Sequence, residues 1–332
     1  MKMRRYIVET MCLLMAILLS AGCHRRPLEE MNDSLYLDLT LDLDVLNHPG
    51  PLPTPELMRV VFYDAVSGDF VSDDYVLAEG GYINAQPGHY NMVVYNFDTE
   101  STLIRNDRSQ HSIEAYTSEI PNSTRTNLLT KLNSVTKPAD YVAPGEDELI
   151  VYEPDHLLVA RKDVEVLHRT GEQIIYAEGE SIVETYYLGV KLRNKGNLAS
   201  AQALLSGQAK SNKFGFEGGR SNEPVILYFE MEAGINDRTG EDALQTTFNT
   251  FGKLPGEVSR LWLTIVVTNT NGETITWQKD ITDEFLDNPE KYIYIEEDEI
   301  VVPDPPTPPP GSGGGFHPEV EDWNEEHYDI TI

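Results

Sequence analysis

Residues 34–45 read SLYLDLTLDLDV. Leu35, Leu37, Leu39, Leu41, Leu43 and Val45 fall on one side of an extended chain, and Tyr36, Asp38, Thr40, Asp42 and Asp44 on the other. Successive side chains of a strand point to opposite faces, so this alternation predicts a strand with one buried and one wet face. Aspartates two apart hint at calcium, but a straight strand spreads carboxylates that a calcium loop must fold around one ion. No metal site is assigned to them.

The same pattern continues outward. LMRVVFYD, FVSDDYVLA, YINA, HYNMVVYNF, TLIR and HSIEAYT read as strands, with Gly68, Gly80-Gly81 and Pro87-Gly88 between them. Residues 124–133 make one short helix, and ELIVYE and HLLVAR close this half. From about Asp163, DVEVLH, EQIIYA, SIVETYYLGVKLRN, PVILYFEMEAG, LQTTFNTFGKL and VSRLWLTIVVTNT are further strands. Asn271-Gly272 predicts a tight hairpin into TITWQKD. NLASAQALLSG reads as a helix, with Asn197 as its cap and Gly207 as its stop. Thr282 is expected to cap a short helix through Leu286, before the last strand, KYIYIEEDEIVV. The fold class is therefore all-β with short helices, as two tandem sandwiches over residues 33–161 and 162–302, joined near residues 155–165.

The N-terminus sets the compartment. Lys2, Arg4 and Arg5 precede an apolar run from Met11 to Leu19, then small residues and Cys23. Residues 1–22 form a secretory signal peptide, too short for an ordinary spanning helix. LSAGC is a lipobox-like end, with Ser20 where leucine is usual. Cys12 lies inside the signal, so Cys23 is the one cysteine of the mature chain and no intrachain disulfide can form. Cys23 is the expected lipidation site, its diacylglycerol and amide-linked acyl (palmitate) chains supplying the two or more anchors that stable attachment needs. Residues 23–32 then serve as a lipidated tether.

The chain carries 25 Lys+Arg and 55 Asp+Glu, a formal charge of −30. Loss of residues 1–22 removes three bases and one acid and takes it to −32. Nucleic acid and anionic headgroups are excluded as ligands on that ground.

The other end is tethered. Prolines keep residues 305–310 extended at about 3 Å per residue, and Gly313 to Gly315 supply a flexible joint. Residues 303–315 are read as a linker. In residues 316–332, Tyr328, Ile330 and Ile332 alternate with Asp329 and Thr331, and Phe316, Val320 and Trp323 add apolar anchors. A lone strand satisfies its backbone only by adding to another sheet, so Phe316, Trp323, Tyr328, Ile330 and Ile332 are the expected partner-binding residues of a donor strand.

No catalytic constellation appears. There is no G-x-S-x-G elbow and no phosphate loop, and Ser134 and Lys137 match S-x-x-K without its companion motifs. The eight histidines are scattered, and His89 reads as a structural residue on a strand face. The 55 acids select no glycosidase pair. The polar tip at residues 235–242 is a weak calcium candidate, and no cofactor is called for.

Several stretches together resemble the fimbrillin-like and fimbrial-anchor lipoproteins of Bacteroidetes: CHRRPLEE, PGHYNMVVYNF, AQALLSG, TTFNTFG, ITDEFLDNPEKYIYIEEDEIVVP and GGGFHPEVEDWNEEHYDITI, in that order. The resemblance implies two transthyretin-like sandwiches and a non-catalytic, lipid-anchored outer-membrane subunit or anchor of a fimbria-like adhesive assembly. Its partners would be fimbrial subunits or related surface proteins, met by strand addition. Asp33-Ser34-Leu35 is similar to the short O-glycosylation signal of that phylum and marks Ser34 as a possible sugar site. Surface-exported lipoproteins of this group often carry acids directly after the cysteine. In this chain His24, Arg25 and Arg26 come first, which leaves the exposed face of the membrane open. The alternative is a glycan-binding lipoprotein of a polysaccharide-uptake system. Such platforms use exposed tryptophans, whereas Trp262 and Trp277 alternate with apolar neighbours as core or sheet-face residues do.

Overall fold

The leucine alternation forms β1 (Leu35–Leu41), with Leu35, Leu37 and Leu39 buried and Asp38 and Thr40 exposed. The strand ends at Leu41, and Leu43 and Val45 continue as half-buried irregular chain. The protein's structure, a computed structural model, describes residues 34–133, 141–145, 148–168, 171–256, 260–286 and 288–304. Among these, β2 (Met58–Asp64), β3 (Phe70–Val76), β4 (Gly80–Ile83), β5 (Gly88–Asn96), β6 (Thr102–Arg105) and β7 (Glu114–Thr117) precede α1 (Asn122–Asn133). Next come β8 (Ile150–Tyr152), β9 (Leu158–Val166), β10 (Gln173–Ser181), β11 (Glu184–Arg193), β12 (Leu198–Ala209), β13 (Ser211–Lys213) and β14 (Gly219–Arg220). The chain closes with β15 (Pro224–Ile235), β16 (Asp242–Thr250), β17 (Trp262–Asn269), β18 (Thr274–Asp280), α2 (Thr282–Phe285) and β19 (Tyr292–Val301). The chain is all-β, as its pattern predicts.

The first body is one curled sheet in the order β3-β2-β5-β9-β10-β1-β4. Its two end strands are consecutive in the chain and meet at the Leu77–Gly80 bridge. Inside the curl lie Leu37, Met58, Val60, Phe62, Met92 and Val94, together with Val164 and Ile175. The residues between them on β2 and β5 are also buried: Val61, Tyr63, Val93 and Tyr95 pack against Phe214, Phe251 and Ile113. Both faces of these two strands are covered, which is why they are continuous apolar runs rather than alternating ones.

The second body is a sandwich. One layer runs β18-β17-β12-β15, with β8 parallel to the first half of β15. The last residues of β15 pair instead with β16, which leads to β11 and β19 in the facing layer. One long strand thus serves both layers. A small sheet, β14-β13-β7-β6, joins the bodies.

Two expectations are corrected. NLASAQALLSG is not a helix but part of β12, paired on both sides with β15 and β17. Its alanines, leucines and glutamine favour helix in isolation, but Ala201, Ala203 and Leu205 fill the core and Leu204 the outer face, and burial overrides propensity. Gly207, read as a helix stop, has φ +72° at the point where the β12–β15 register slips. It makes a β-bulge.

The division at 161/162 falls inside β9, and β9 and β10 both belong to the first sheet. The charged run Arg161–Asp163 is an exposed stretch of a continuous strand, not a restart. Conversely, β7 pairs with β13, β8 pairs with β15, and Leu128 and Leu132 of α1 pack on Leu204, Ile226 and Val266 of the second body. The chain therefore leaves the first body after β5, builds on the second, and returns at β9. A smaller difference concerns Thr282. Its hydroxyl donates to Asp280 Oδ1 (2.5 Å) and accepts from Leu261 N–H (2.8 Å), so it ties the single turn of α2 to the residue preceding β17 rather than capping it.

Candidate functional site

β19 runs parallel to β11 and brings the chain's C-terminal stretch to the end of the second body. Val302 is fully buried and its N–H donates to Arg193 O (3.2 Å). Asn194, in the left-handed region at φ 57°, donates its amide to Val302 O (3.1 Å) and to Asp304 Oδ1 (3.3 Å). Asn197 donates to the same carboxylate (3.0 Å), and the buried Asn269 reaches Pro303 O (3.4 Å). Asparagine tolerates the left-handed region and offers amide donors to backbone, so it suits a turn that must also grip a neighbour. Residues 302–304 are thus held from the β11–β12 and β17–β18 turns, and the Pro/Gly linker starts from a fixed point. These three asparagines escaped the sequence reading, where Asn197 served as a helix cap.

Phe316, Trp323, Tyr328, Ile330 and Ile332 lie outside the described residues, as does Cys23. Ser34 is half-buried just before β1, and its carbonyl accepts from Gln173 N–H (2.9 Å). It lines a cleft of about 550 Å³ with Ile83, Pro87 and Val166 at one end of the first body. The root of the tail and Ser34 are therefore on different bodies. His89 is exposed, with Nε2 2.7 Å from Asp163 on the neighbouring strand. The polar tip after β15 is braced from within: the fully buried Asn236 donates to the hydroxyls of Tyr187 (3.0 Å) and Tyr292 (2.7 Å), and its Oδ1 accepts from the N–H groups of Arg238 and Thr239. Trp277 packs against the second core, and Trp262 is half-buried on the outer face.

A second cluster sits where the chain crosses between the bodies. Asp155 Oδ2 accepts from the N–H groups of Glu100 (2.7 Å) and Ser101 (2.5 Å). His156 places Nδ1 2.8 Å from Ser181 Oγ and Nε2 3.0 Å from Thr185 Oγ1. Thr185 in turn donates to Asn249 Oδ1 (2.8 Å), whose backbone N–H donates to Glu153 (2.7 Å). Beside this network is a cleft of about 310 Å³ lined by His48, Pro55, Asp98 and His156.

Burial pushes Glu153 up to about 7, against the Asn249 N–H and with the help of Asp155. Burial, then the imidazole of His48, holds His156 down at about 4. An imidazole so reluctant to take a proton is a weak base near neutrality, and among the described residues its ring nitrogens meet hydroxyls rather than a carboxylate. Ser181 Oγ accepts from Val183 N–H (3.1 Å), which ties it into its own turn. The geometry braces the crossing and lacks the relay of a nucleophilic site.

The two groups have opposite linkage signs. The folded state favours protonated Glu153, so its contribution is lost as pH rises from 4.5 through about 7. The folded state favours neutral His156, so its contribution is lost as pH falls from 6.5 to about 4. They offset one another between these limits. Glu153→Gln keeps the acceptor for Asn249 N–H without the charge. It should stabilise the protein by about 2–3 kcal/mol at pH 8 and leave it unchanged at pH 4. Urea unfolding at both pH values measures this, and equal shifts at the two would contradict it.

Residues 22–230, more than half of the chain, match the family described as Domain of unknown function (DUF5119). The chain belongs to this family. A relative of this DUF5119 chain is Fim4B of Bacteroides ovatus, described as a candidate fimbrium anchoring subunit. It is 27% identical over 229 residues, which cover 68% of this chain and 61% of the relative. The resemblance to fimbrial-anchor proteins of Bacteroidetes read from the sequence is borne out by this relative. A crystal structure of a candidate adhesin from Bacteroides ovatus is 24% identical and superposes with a TM-score of 0.55, covering 87% of this chain and 99% of that one. That likeness shows a shared fold.

Proposed function

We propose that the chain is a non-catalytic, lipid-anchored subunit or anchor of a fimbria-like adhesive assembly in the outer membrane. Cys23 carries the lipid, and residues 316–332 add as a strand to the sheet of a fimbrial partner. The observation that carries this reading is the grip of Asn194, Asn197 and Asn269 on residues 302–304. A linker rooted so firmly delivers whatever follows it from a defined point, which shortens the search for a docking site. The relative described as a fimbrium anchoring subunit supplies the class of partner. Ser34 takes its sugar, on this reading, at the rim of the cleft before β1. Capture of glycans through tryptophans has less support, because Trp277 packs against the second core.

One experiment separates the two attachments. Cys23→Ala should abolish acyl labelling and release the protein from the membrane fraction. Ile330→Asp with Ile332→Asp should leave it in the membrane but cut the co-isolated fimbrial subunits by about tenfold or more, because a charged strand face cannot be buried. Undiminished co-isolation would remove strand addition from the proposal, and undiminished labelling would remove the lipid anchor.

A further inference from the structure

The ladder between β9 and β10 stops early. Backbone pairing runs from Ala160–Gly179 to Leu158–Ser181 and no further. Beyond it the side chain of Gln173 stands in for the missing pairs: Nε2 donates to Glu165 O (2.7 Å), and Oε1 accepts from Leu167 N–H (3.1 Å). The split opens a cleft of about 240 Å³, with Lys162, Asp163 and Glu165 on one bank and Ile174 and Tyr176 on the other.

An aromatic row continues from that second bank. On the outer face Ile174 stands opposite Tyr36, and Tyr36 opposite Tyr82. The rings of Tyr36 and Tyr82 meet edge to face at 5.1 Å. Tyr82 is 65% exposed, Tyr176 63% and Ile174 44%, so this row is uncovered. Carboxylates surround it. Asp38 stands opposite Tyr176, Glu178 opposite Thr40, and Glu172 accepts from the Tyr82 hydroxyl (3.1 Å). The outward positions of β1, β4 and β10 carry no lysine or arginine. Across the split, Arg161 is turned to Phe214 O, and His89 is bonded to Asp163.

We infer that this face binds an extended segment of a partner protein bearing arginine or lysine, laid across the aromatic row from the split between β9 and β10 towards β4. Tyrosine faces attract cations, and guanidinium groups stack on them while pairing with carboxylates. Charge complementarity selects this occupant. A second copy of the chain carries the same −30 and would be repelled, as would acidic glycans and phosphate-bearing lipids. The surface lies wholly on the first body, so it stands independently of the docking assigned to residues 316–332.

The test uses the full chain and a peptide of alternating arginine and serine, with a glutamate–serine peptide and cellohexaose as comparators, followed by calorimetry. The arginine peptide should bind, and the glutamate peptide should not. Tyr82→Ser with Tyr176→Ser, both mostly exposed and therefore tolerant of change, should keep the melting temperature and weaken that binding about tenfold. Asp38→Asn with Glu178→Gln should weaken it less and flatten its salt dependence. Tyr75→Ser with Phe97→Ser, an exposed ring pair elsewhere on this body, should leave it unchanged. Equal affinity of wild type and the Tyr82/Tyr176 variant would overturn the proposal in favour of diffuse attraction to an acidic surface. Tighter binding of cellohexaose, lost in the same variant, would overturn it in favour of a sugar platform.

Discussion

Replacing Phe248 with alanine is expected to cost the second body about 3–5 kcal/mol, the range for truncating a buried phenylalanine. Phe248 is fully buried at the centre of a ring cluster. It stacks on Phe229 with centroids 4.6 Å apart and planes 3° apart, and on Tyr186 at 5.7 Å. Tyr186 stacks in turn on Phe285 at 4.3 Å. These four side chains tie β11, β15 and β16 to α2, so the cavity left by alanine would be walled by paired strands that cannot collapse into it. Against a typical domain stability of about 5–15 kcal/mol, this removes a large share. A fall in melting temperature of about 10 °C should accompany it. Phe216→Ala, at a ring 37% exposed, serves as comparison and should cost under about 1 kcal/mol. If the two variants melt together, the cluster is not the keystone of this core.

The second large effect concerns dissection of the chain. A fragment of residues 162–302 should aggregate or lack a cooperative melt. It omits β8, which pairs with Ile226, Leu227 and Tyr228 of β15, and it omits α1. Leu204, Ile226 and Val266, each at most 2% exposed in the whole protein, would face water. It would also carry β10 and part of β9 without the sheet they belong to. Exposed apolar surface and unpaired edges of this kind drive association. Residues 34–304 should by contrast melt as a cooperative β protein. A sharp melt of the 162–302 fragment, with a β-rich circular dichroism spectrum, would show that the excursion of residues 102–152 is dispensable.

Much of this architecture was legible in the sequence wherever periodicity acts locally. The leucines of β1, the Asn271-Gly272 turn and the helix ending at Asn133 each declare themselves within a dozen residues. What was hidden depended on distant partners. β12 carries the composition of a helix and is a strand only because β15 and β17 flank it. Arg161 to Asp163 looked like a break because three exposed polar residues interrupt the apolar run, yet β5 pairs along all of them. Asn194 and Asn197 lie far in sequence from Asn269 and from Asp304, and all of them converge only in the fold. Glu153 and His156 sat among many similar residues, and burial at the crossing alone distinguishes them.

The pairing of the first and last described strands has a mechanical consequence. β1 lies parallel to β10 over seven residue pairs, and β19 lies parallel to β11. Tension applied at Ser34 and Asp304 enters the fold through these two strands and loads them in shear where it runs along their axes. Evenly spaced parallel bonds then share the load in shear and must fail together, instead of opening one by one as in an unzipping hairpin. The chain also crosses the junction three times, so the bodies cannot part along a single covalent thread. A protein pulled at its two ends would therefore yield abruptly at high force rather than stretch gradually.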